Sequence, residues 1–313
     1  MTRVLVLVAP GEKELPGLDG LPEGVEVQTV SAEADLREAL PHADVLVVAD
    51  FRTGLLERCW PAQPRVKWVH ATSAGVDALL FPALVESDIP ITNARGIFDR
   101  GIAEYVLGAV LLFAKDTLGN LALQRAQRWQ HRDTEMVDQR HALIVGAGSI
   151  GGEVAGLLKA VGMQVTGIAR TAREDARFDA VLGNEALFES LGRADYIVIT
   201  APLTADTEGL FDQRAFAAMK PGARLINVGR GPIVKTDDLL AALRSGHLAG
   251  AALDVFEEEP LPAGHPLWEQ PGVMISAHMA GDFIGWQAAL GQQFVANFQG
   301  WQQGQPLFNQ VSK

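Results

Sequence analysis

Leu143-Ile144-Val145-Gly146-Ala147-Gly148-Ser149-Ile150-Gly151 decides the fold class. Three apolar residues run into glycines spaced G-x-G-x-x-G, and a helical pattern follows over residues 154–161. A glycine triplet alone is weak evidence, but between a buried strand and a helix it reads as a dinucleotide-binding turn. Gly146 permits the tight turn, Gly148 lets backbone approach a pyrophosphate, and Gly151 lets helix and strand pack closely. The helix N-terminus then offers amide donors and a partial positive charge to phosphates.

Working outward, the same alternation of apolar runs and helical patterns continues on both sides. Toward the C-terminus, runs at 142–145, 164–168, 196–200, 225–228, 250–253 and 273–276 predict six strands of one doubly wound sheet. Toward the N-terminus, runs at 4–8, 45–49, 66–69 and 91–93 predict a first α/β unit, with helical stretches such as 32–40 between them. One long helix is expected over about 102–126, with Ala103, Val106, Leu107, Val110, Leu111 and Ala114 at helical spacing. Its later turns become polar, as expected of a connector between domains. A last helix, 286–301, is expected to cross back to the first domain. The expected fold is therefore α/β, with two Rossmann-like doubly wound parallel-sheet domains and the active site in the cleft between them. Residues 1–100 plus 283–313 would form a discontinuous substrate domain, and 101–282 the dinucleotide-binding domain.

Composition narrows the function classes. The chain has 313 residues, 48% hydrophobic and 20% charged, an ordinary globular profile sufficient for two domains. A net charge of -12 repels phosphate backbones, so nucleic acid is not an expected partner. Neither the run at 4–8 nor that at 106–114 approaches the roughly 20 apolar residues of a membrane helix. A cytoplasmic location and no membrane partner are expected. The single cysteine, Cys59, reads as a buried thiol, and no histidine pair has metal-ligand spacing, so no metal is expected.

The strand at 164–168 ends in Ala169-Arg170-Thr171-Ala172-Arg173. An acid that binds the ribose 2'-hydroxyl of NAD is expected about 20 residues after the glycines. Arg170 stands there instead. A guanidinium pairs with a 2'-phosphate that a carboxylate would repel. NADP(H) is therefore the expected cofactor, with NAD(H) still usable and Glu174 and Asp175 moderating the preference.

Three later segments put titratable residues just past apolar runs: Asn227-Val228-Gly229-Arg230-Gly231, residues 253–260 ending Glu257-Glu258-Glu259-Pro260, and Ser276-Ala277-His278-Met279-Ala280-Gly281. Reduction of a 2-keto acid needs a cation for the carboxylate, a proton donor for the carbonyl oxygen and a hydride source. Arginine, histidine and a supporting carboxylate supply the first two. On residues alone, Glu257 and Glu258 compete with Glu259.

With these segments, Ser73-Ala74-Gly75-Val76-Asp77, residues 93–96, Ala103-Glu104 and Ala201-Pro202-Leu203-Thr204, the chain resembles the D-isomer-specific 2-hydroxyacid dehydrogenase family over nearly its whole length. The resemblance implies that His278 is the acid in reduction and the base in oxidation, that Glu259 is its hydrogen-bonded partner, and that Arg230 binds the substrate's carboxylate and carbonyl. It implies that the amides of Ala74, Gly75 and Val76 bind the same carboxylate, and that Asp254 holds the nicotinamide carboxamide. Cofactor contacts are also expected at Ser149, Ile150, Thr171, Arg173, Pro202, Thr207, Val228 and Gly281. A homodimer is implied as well. The chain departs from the family at Ser276-Ala277, where Thr-Pro is frequent, and at Asp282-Phe283. That leaves the substrate less defined than the reaction.

Phe51 and Arg52 follow the strand at 45–49 and are candidate substrate contacts, Phe51 for an apolar substituent and Arg52 for a second acid or simply for solvent. Small 2-keto acids such as glyoxylate, hydroxypyruvate or pyruvate are expected first, and phenylpyruvate next. Two rivals are a nicotinamide-sensing protein like the family's corepressors and a dehydrogenase of an inorganic or one-carbon donor such as phosphite. The complete Arg, Glu and His set favours an enzyme over the sensing protein, and turnover with such a donor but with no 2-keto acid would single out the second rival.

Overall fold

Among the described residues of the computed structural model (1–12, 14–50, 53–311 and 313), twelve strands pair in parallel throughout and form two sheets. The chain divides into two units, Met1–Phe98 with Phe283–Lys313, and Asp99–Asp282.

In the first unit the strands are β1 (Thr2–Leu7), β2 (Val25–Val30), β3 (Val45–Val48), β4 (Trp68–Ala71) and β5 (Ile91–Thr92), in the order β2-β1-β3-β4-β5. A parallel sheet covered on both faces needs apolar residues on both, and β1 supplies them by alternation. Leu5 and Leu7 join one core with Leu36, Leu46 and Val69. Val4 and Val6 join the other with Val45, Val47 and Trp68. The helix Trp286–Gln302 closes that second core with Leu290, Phe294 and Phe298, four residues apart on one helix face. Phe294 stacks on Trp68 with ring centroids 5.2 Å apart. Cys59 is buried in the first core.

The second unit holds β6 (His141–Val145), β7 (Gln164–Ile168), β8 (Ala180–Leu182), β9 (Tyr196–Ile199), β10 (Arg224–Asn227), β11 (Gly250–Leu253) and β12 (Val273–Ile275). Their order is β12-β11-β10-β9-β6-β7-β8. The chain runs outward from β6 through β7 to β8, then returns to lay β9 on the other side of β6. The order therefore reverses between β6 and β9, where open α/β sheets bind ligands beyond their strand ends.

Two strands go beyond the sequence expectation. β2 and β8 lie at sheet edges, where one side needs no apolar cover. β2 reads Val-Glu-Val-Gln-Thr-Val with only Val30 buried, and β8 is a bare Ala-Val-Leu in which only Val181 is buried, too short a run to mark a strand. The single long helix expected over 102–126 is two helices, Asp99–Ala114 and Thr117–Arg125, bent by 62°. Asp116 breaks it. Its backbone is left-handed (φ 47°), and its carboxylate accepts Gly119 N at 3.2 Å, capping the second helix. Arg132 fixes the same carboxylate from outside, at 2.8 and 2.6 Å. Among the described residues no single helix is long and apolar enough to cross a membrane.

Candidate active site

The fingerprint glycines occupy the turn from β6 into the helix Ser149–Ala160, with Gly148 as its N-cap residue. Gly146 has φ 111°, in the region that disfavours side chains, and a β-carbon there would press on the backbone of Ala201. A β-carbon on Gly151 would collide with the carbonyl of Gly146, the close helix–strand approach that its position requires. At Gly148 a β-carbon would meet only open space, so nothing in the protein needs that glycine. A turn with free space against bare backbone, at a helix N-terminus, fits a pyrophosphate. Ser149, the first residue of the helix, gives its hydroxyl to the Asp99 carboxylate, and Ile150 follows it in the first turn.

Beyond β7, Arg170 and Thr171 are exposed and have no hydrogen-bond or ion-pair partner among the described residues. Arg173 reaches back to donate to the carbonyl of Ala147 in the glycine turn. Arg177 holds Asp175 by two hydrogen bonds, at 2.9 and 2.6 Å, and its guanidinium lies where a β-carbon on Gly152 would be. The Arg177 hydrogen bonds hold the Asp175 carboxyl down at about 2. Asp175, which Arg173 also approaches at 3.9 Å, is thus already matched by a cation. The sequence reading does not reach Arg177 and Gly152, although a glycine directly after the fingerprint is a visible cue.

The remaining residues of the second unit stand on neighbouring strand ends of the same sheet. Pro202 and Thr207 follow β9, and Thr207 Oγ1 closes that turn by donating to the Pro202 carbonyl at 2.7 Å. Val228 is buried just past β10, ahead of Arg230. The fully buried Asn227 shapes the turn that presents Arg230: its Oδ1 accepts Gly229 N at 3.1 Å, and its Nδ2 donates to the Arg230 carbonyl at 3.1 Å. Asn227 lies inside the segment that carries Arg230, but its clamp depends on a turn that sequence does not display.

Past β11, the three consecutive glutamates separate by geometry. Glu257 accepts Thr236 N at 2.9 Å, at the start of the helix Thr236–Arg244. Glu259 lies 2.8 Å from His278 Nδ1 and accepts Phe256 N at 2.9 Å. Among the described residues Glu258 has no hydrogen-bond or ion-pair partner. The hydrogen bond to Glu259 raises the His278 pKa above its ordinary 6.5, outweighing desolvation. Burial works to raise Glu259, but the hydrogen bonds from His278 and Phe256 N prevail and hold it below the usual carboxylate value. The imidazole is half exposed (side chain 52%) and has a left-handed backbone, φ 51°. Asp254, 2% exposed, lies under the same turn, which continues to Gly281.

In the first unit, the carbonyls of Ala74 and Gly75 are taken by Asn93 Nδ2 and Ser73 Oγ, both at 2.5 Å. The amides of Ala74, Gly75 and Val76 have no hydrogen-bond partner among the described residues. Phe51 and Arg52 lie outside the described residues.

A doubly wound sheet with a glycine turn after one strand, and an arginine, a glutamate and a histidine after three others of the same sheet, defines a nicotinamide-dependent oxidoreductase. The profile of "D-isomer specific 2-hydroxyacid dehydrogenase, NAD binding domain" matches residues 107–280, and the chain belongs to that family. It is 36% identical to the glyoxylate/hydroxypyruvate reductase A of Serratia proteamaculans over 250 residues, covering 77% of this chain and 78% of the relative. It is also similar to the NADPH-dependent glyoxylate/hydroxypyruvate reductase of Sinorhizobium meliloti, solved with NADP and sulfate. That likeness has TM-score 0.87 and 29% identity, over 99% of this chain and 98% of the other. A D-isomer specific 2-hydroxyacid dehydrogenase of Xanthobacter autotrophicus Py2, solved with NADPH and MES, aligns with TM-score 0.83 and 32% identity, over 99% and 98%.

Proposed function

We propose that this chain reduces a small 2-keto acid to the D-2-hydroxy acid with NADPH, and that the reaction is reversible. The observation that carries the reading is the 2.8 Å contact between His278 Nδ1 and Glu259, at the strand-end edge that also bears the glycine turn. A bound nicotinamide supplies the hydride. His278, kept protonated by Glu259, gives a proton to the carbonyl oxygen as it becomes a hydroxyl. Arg230 binds the substrate carboxylate, assisted by the amides of residues 74–76. Gly146, Gly148, Ser149, Ile150 and Gly151 hold the pyrophosphate. Thr207, Pro202, Val228 and Gly281 line the cofactor's path. The Asp254 carboxylate accepts three donors and retains acceptor capacity on Oδ2, enough for a carboxamide N–H.

The preference for NADPH rests on Arg170 and Thr171, which are exposed and unengaged, and on Arg173 beside the glycine turn. Arg177 supports it by neutralising Asp175. The two relatives solved with NADP or NADPH point the same way, and the named reductases make glyoxylate and hydroxypyruvate the first substrates to try.

Pairing into a homodimer is part of the same proposal. In the second unit Trp129 is fully exposed, and Met136, Leu121 and Leu111 are exposed near it in sequence. The segment is nonetheless pinned by Arg132 to Asp116 and by Glu135 to Arg224. Exposed apolar side chains on an anchored segment suit burial against a second copy of the chain.

The test is NADPH and NADH oxidation with glyoxylate, hydroxypyruvate, pyruvate and phenylpyruvate. Turnover with NADPH preferred supports the reading. Cofactor binding without turnover on any of the four would overturn it.

A further inference from the structure

The Asp254 oxygens are engaged by the turn that carries His278. Oδ1 accepts Met279 N at 2.9 Å and Ser276 Oγ at 2.5 Å, and Oδ2 accepts Ala280 N at 2.9 Å. Its backbone carbonyl accepts His278 N at 2.8 Å. Two successive amides converge on one carboxylate directly after the left-handed His278, the way consecutive backbone N–H groups enclose an anion. The carboxylate therefore braces a left-handed backbone that few residues with side chains adopt.

A further group stands behind the carboxylate. Tyr105 Oη, from the helix Asp99–Ala114, is 2.6 Å from Ser276 Oγ. Counting hydrogens fixes the direction. A carboxylate only accepts, so the single hydroxyl hydrogen of Ser276 points to Asp254. The serine oxygen can then only accept from Tyr105, and the order is Tyr105 to Ser276 to Asp254. Each bond in such a chain strengthens the next.

We propose that Tyr105 and Ser276 are positioning residues for His278, acting through Asp254 to fix the turn 276–280 from which the imidazole projects. The proposal rests on His278 as the proton donor. It also gives a task to Ser276 at one of the positions where the chain departs from its family's frequent Thr-Pro: the hydroxyl is what the network uses.

The experiment compares Tyr105→Phe, Ser276→Ala, Ser276→Thr and the Tyr105→Phe/Ser276→Ala double variant, with His278→Asn as reference. The readouts are kcat, KM for glyoxylate and NADPH Kd. Tyr105→Phe and Ser276→Ala should each lower kcat by roughly 5- to 30-fold, the equivalent of one such hydrogen bond, with KM and Kd within about twofold. Ser276→Thr keeps the hydroxyl and should restore kcat. The double variant should be no slower than Ser276→Ala, because both changes cut one chain. Unchanged kcat in Tyr105→Phe and Ser276→Ala beside a slow His278→Asn overturns the positioning network and leaves the proton donor in place. Multiplicative losses, or losses carried by Kd, also overturn it. Full activity in His278→Asn overturns the proton-donor reading itself.

Discussion

The two parallel sheets share an architecture and differ in the turns that leave their central strands. After β1 the chain runs through Val8-Ala9-Pro10-Gly11, and the next element among the described residues is β2, so no helix N-terminus is presented there. After β6 the glycine turn leads at once into Ser149–Ala160. A histidine in each unit makes the same point. His70 on β4 is fully buried, hydrogen-bonded to Thr92 Oγ1 at 2.8 Å, and desolvation pushes its pKa down to about 3. His278 is half exposed beside Glu259, and its pKa is raised. Residue type does not decide the role of an imidazole. A carboxylate at hydrogen-bond distance raises its affinity for a proton, and an apolar enclosure keeps it neutral.

The largest expected effects break the comparison from each side. His278→Asn should lower kcat on the order of 10²–10⁴-fold with NADPH still bound, read by steady-state turnover and a fluorescence titration. Near-normal turnover in the folded variant would remove His278 from its role. Phe294→Ala, in the aromatic core of the first unit, should cost about 3–5 kcal/mol of stability in a denaturant titration, with NADPH affinity unchanged. A loss of NADPH affinity in the folded variant would contradict the assignment of the cofactor to the second unit.

Arg170→Asp should come next, replacing the expected 2'-phosphate ligand by a repelling charge. A charge-assisted hydrogen bond is worth roughly 1.5–3 kcal/mol, so the NADPH-to-NADH ratio of kcat/KM should fall about 10- to 100-fold. An unchanged ratio would refute the cofactor argument and leave the reaction class standing.

The legible and the hidden parts of the sequence have a common cause. Residues in a local pattern were legible: the glycine turn with its strand and helix, the buried strands of both sheets, and the apolar face of 286–301. Edge strands β2 and β8 were not, because an edge needs little apolar cover. The break at Asp116 was hidden because a cap inside an otherwise continuous helical pattern shows only through its backbone. At the site, the family pattern favoured Glu259 over Glu257, but the capping of Thr236 N by Glu257 is a tertiary contact. Asn227, Tyr105 and Arg177 were missed for the same reason, since each acts on a group that the fold brings to it.

The histidine comparison can be sharpened by acid. His70 is neutral in the folded chain down to about pH 3, but in the unfolded chain it takes up a proton near its ordinary 6.5. The unfolded state then binds more protons, so stability falls as pH drops below 6.5. At pH 5 the contribution should be about 2 kcal/mol, measured as the difference in acid dependence between the parent and His70→Phe. Equal acid dependence in the two proteins would show that His70 is not the buried neutral group described.

The smallest effect, confined to one limb of a pH profile, isolates the other histidine. With His278 as the proposed proton donor, reduction needs the protonated imidazole, so its rate should be highest below the His278 pKa and fall as pH rises through it. Oxidation of the hydroxy acid needs the neutral ring and rises through the same pKa. Glu259 holds that pKa above 6.5 by its hydrogen bond and its charge. In Glu259→Gln both contributions weaken, and the limb should move to lower pH for both directions of reaction. Turnover in reduction should then be closest to the parent in acid, where both proteins are protonated, and diverge as pH increases. A uniform loss at every pH, with the limb unmoved, would mean that Glu259 orients the ring without setting its charge. The two histidines would then differ in burial alone.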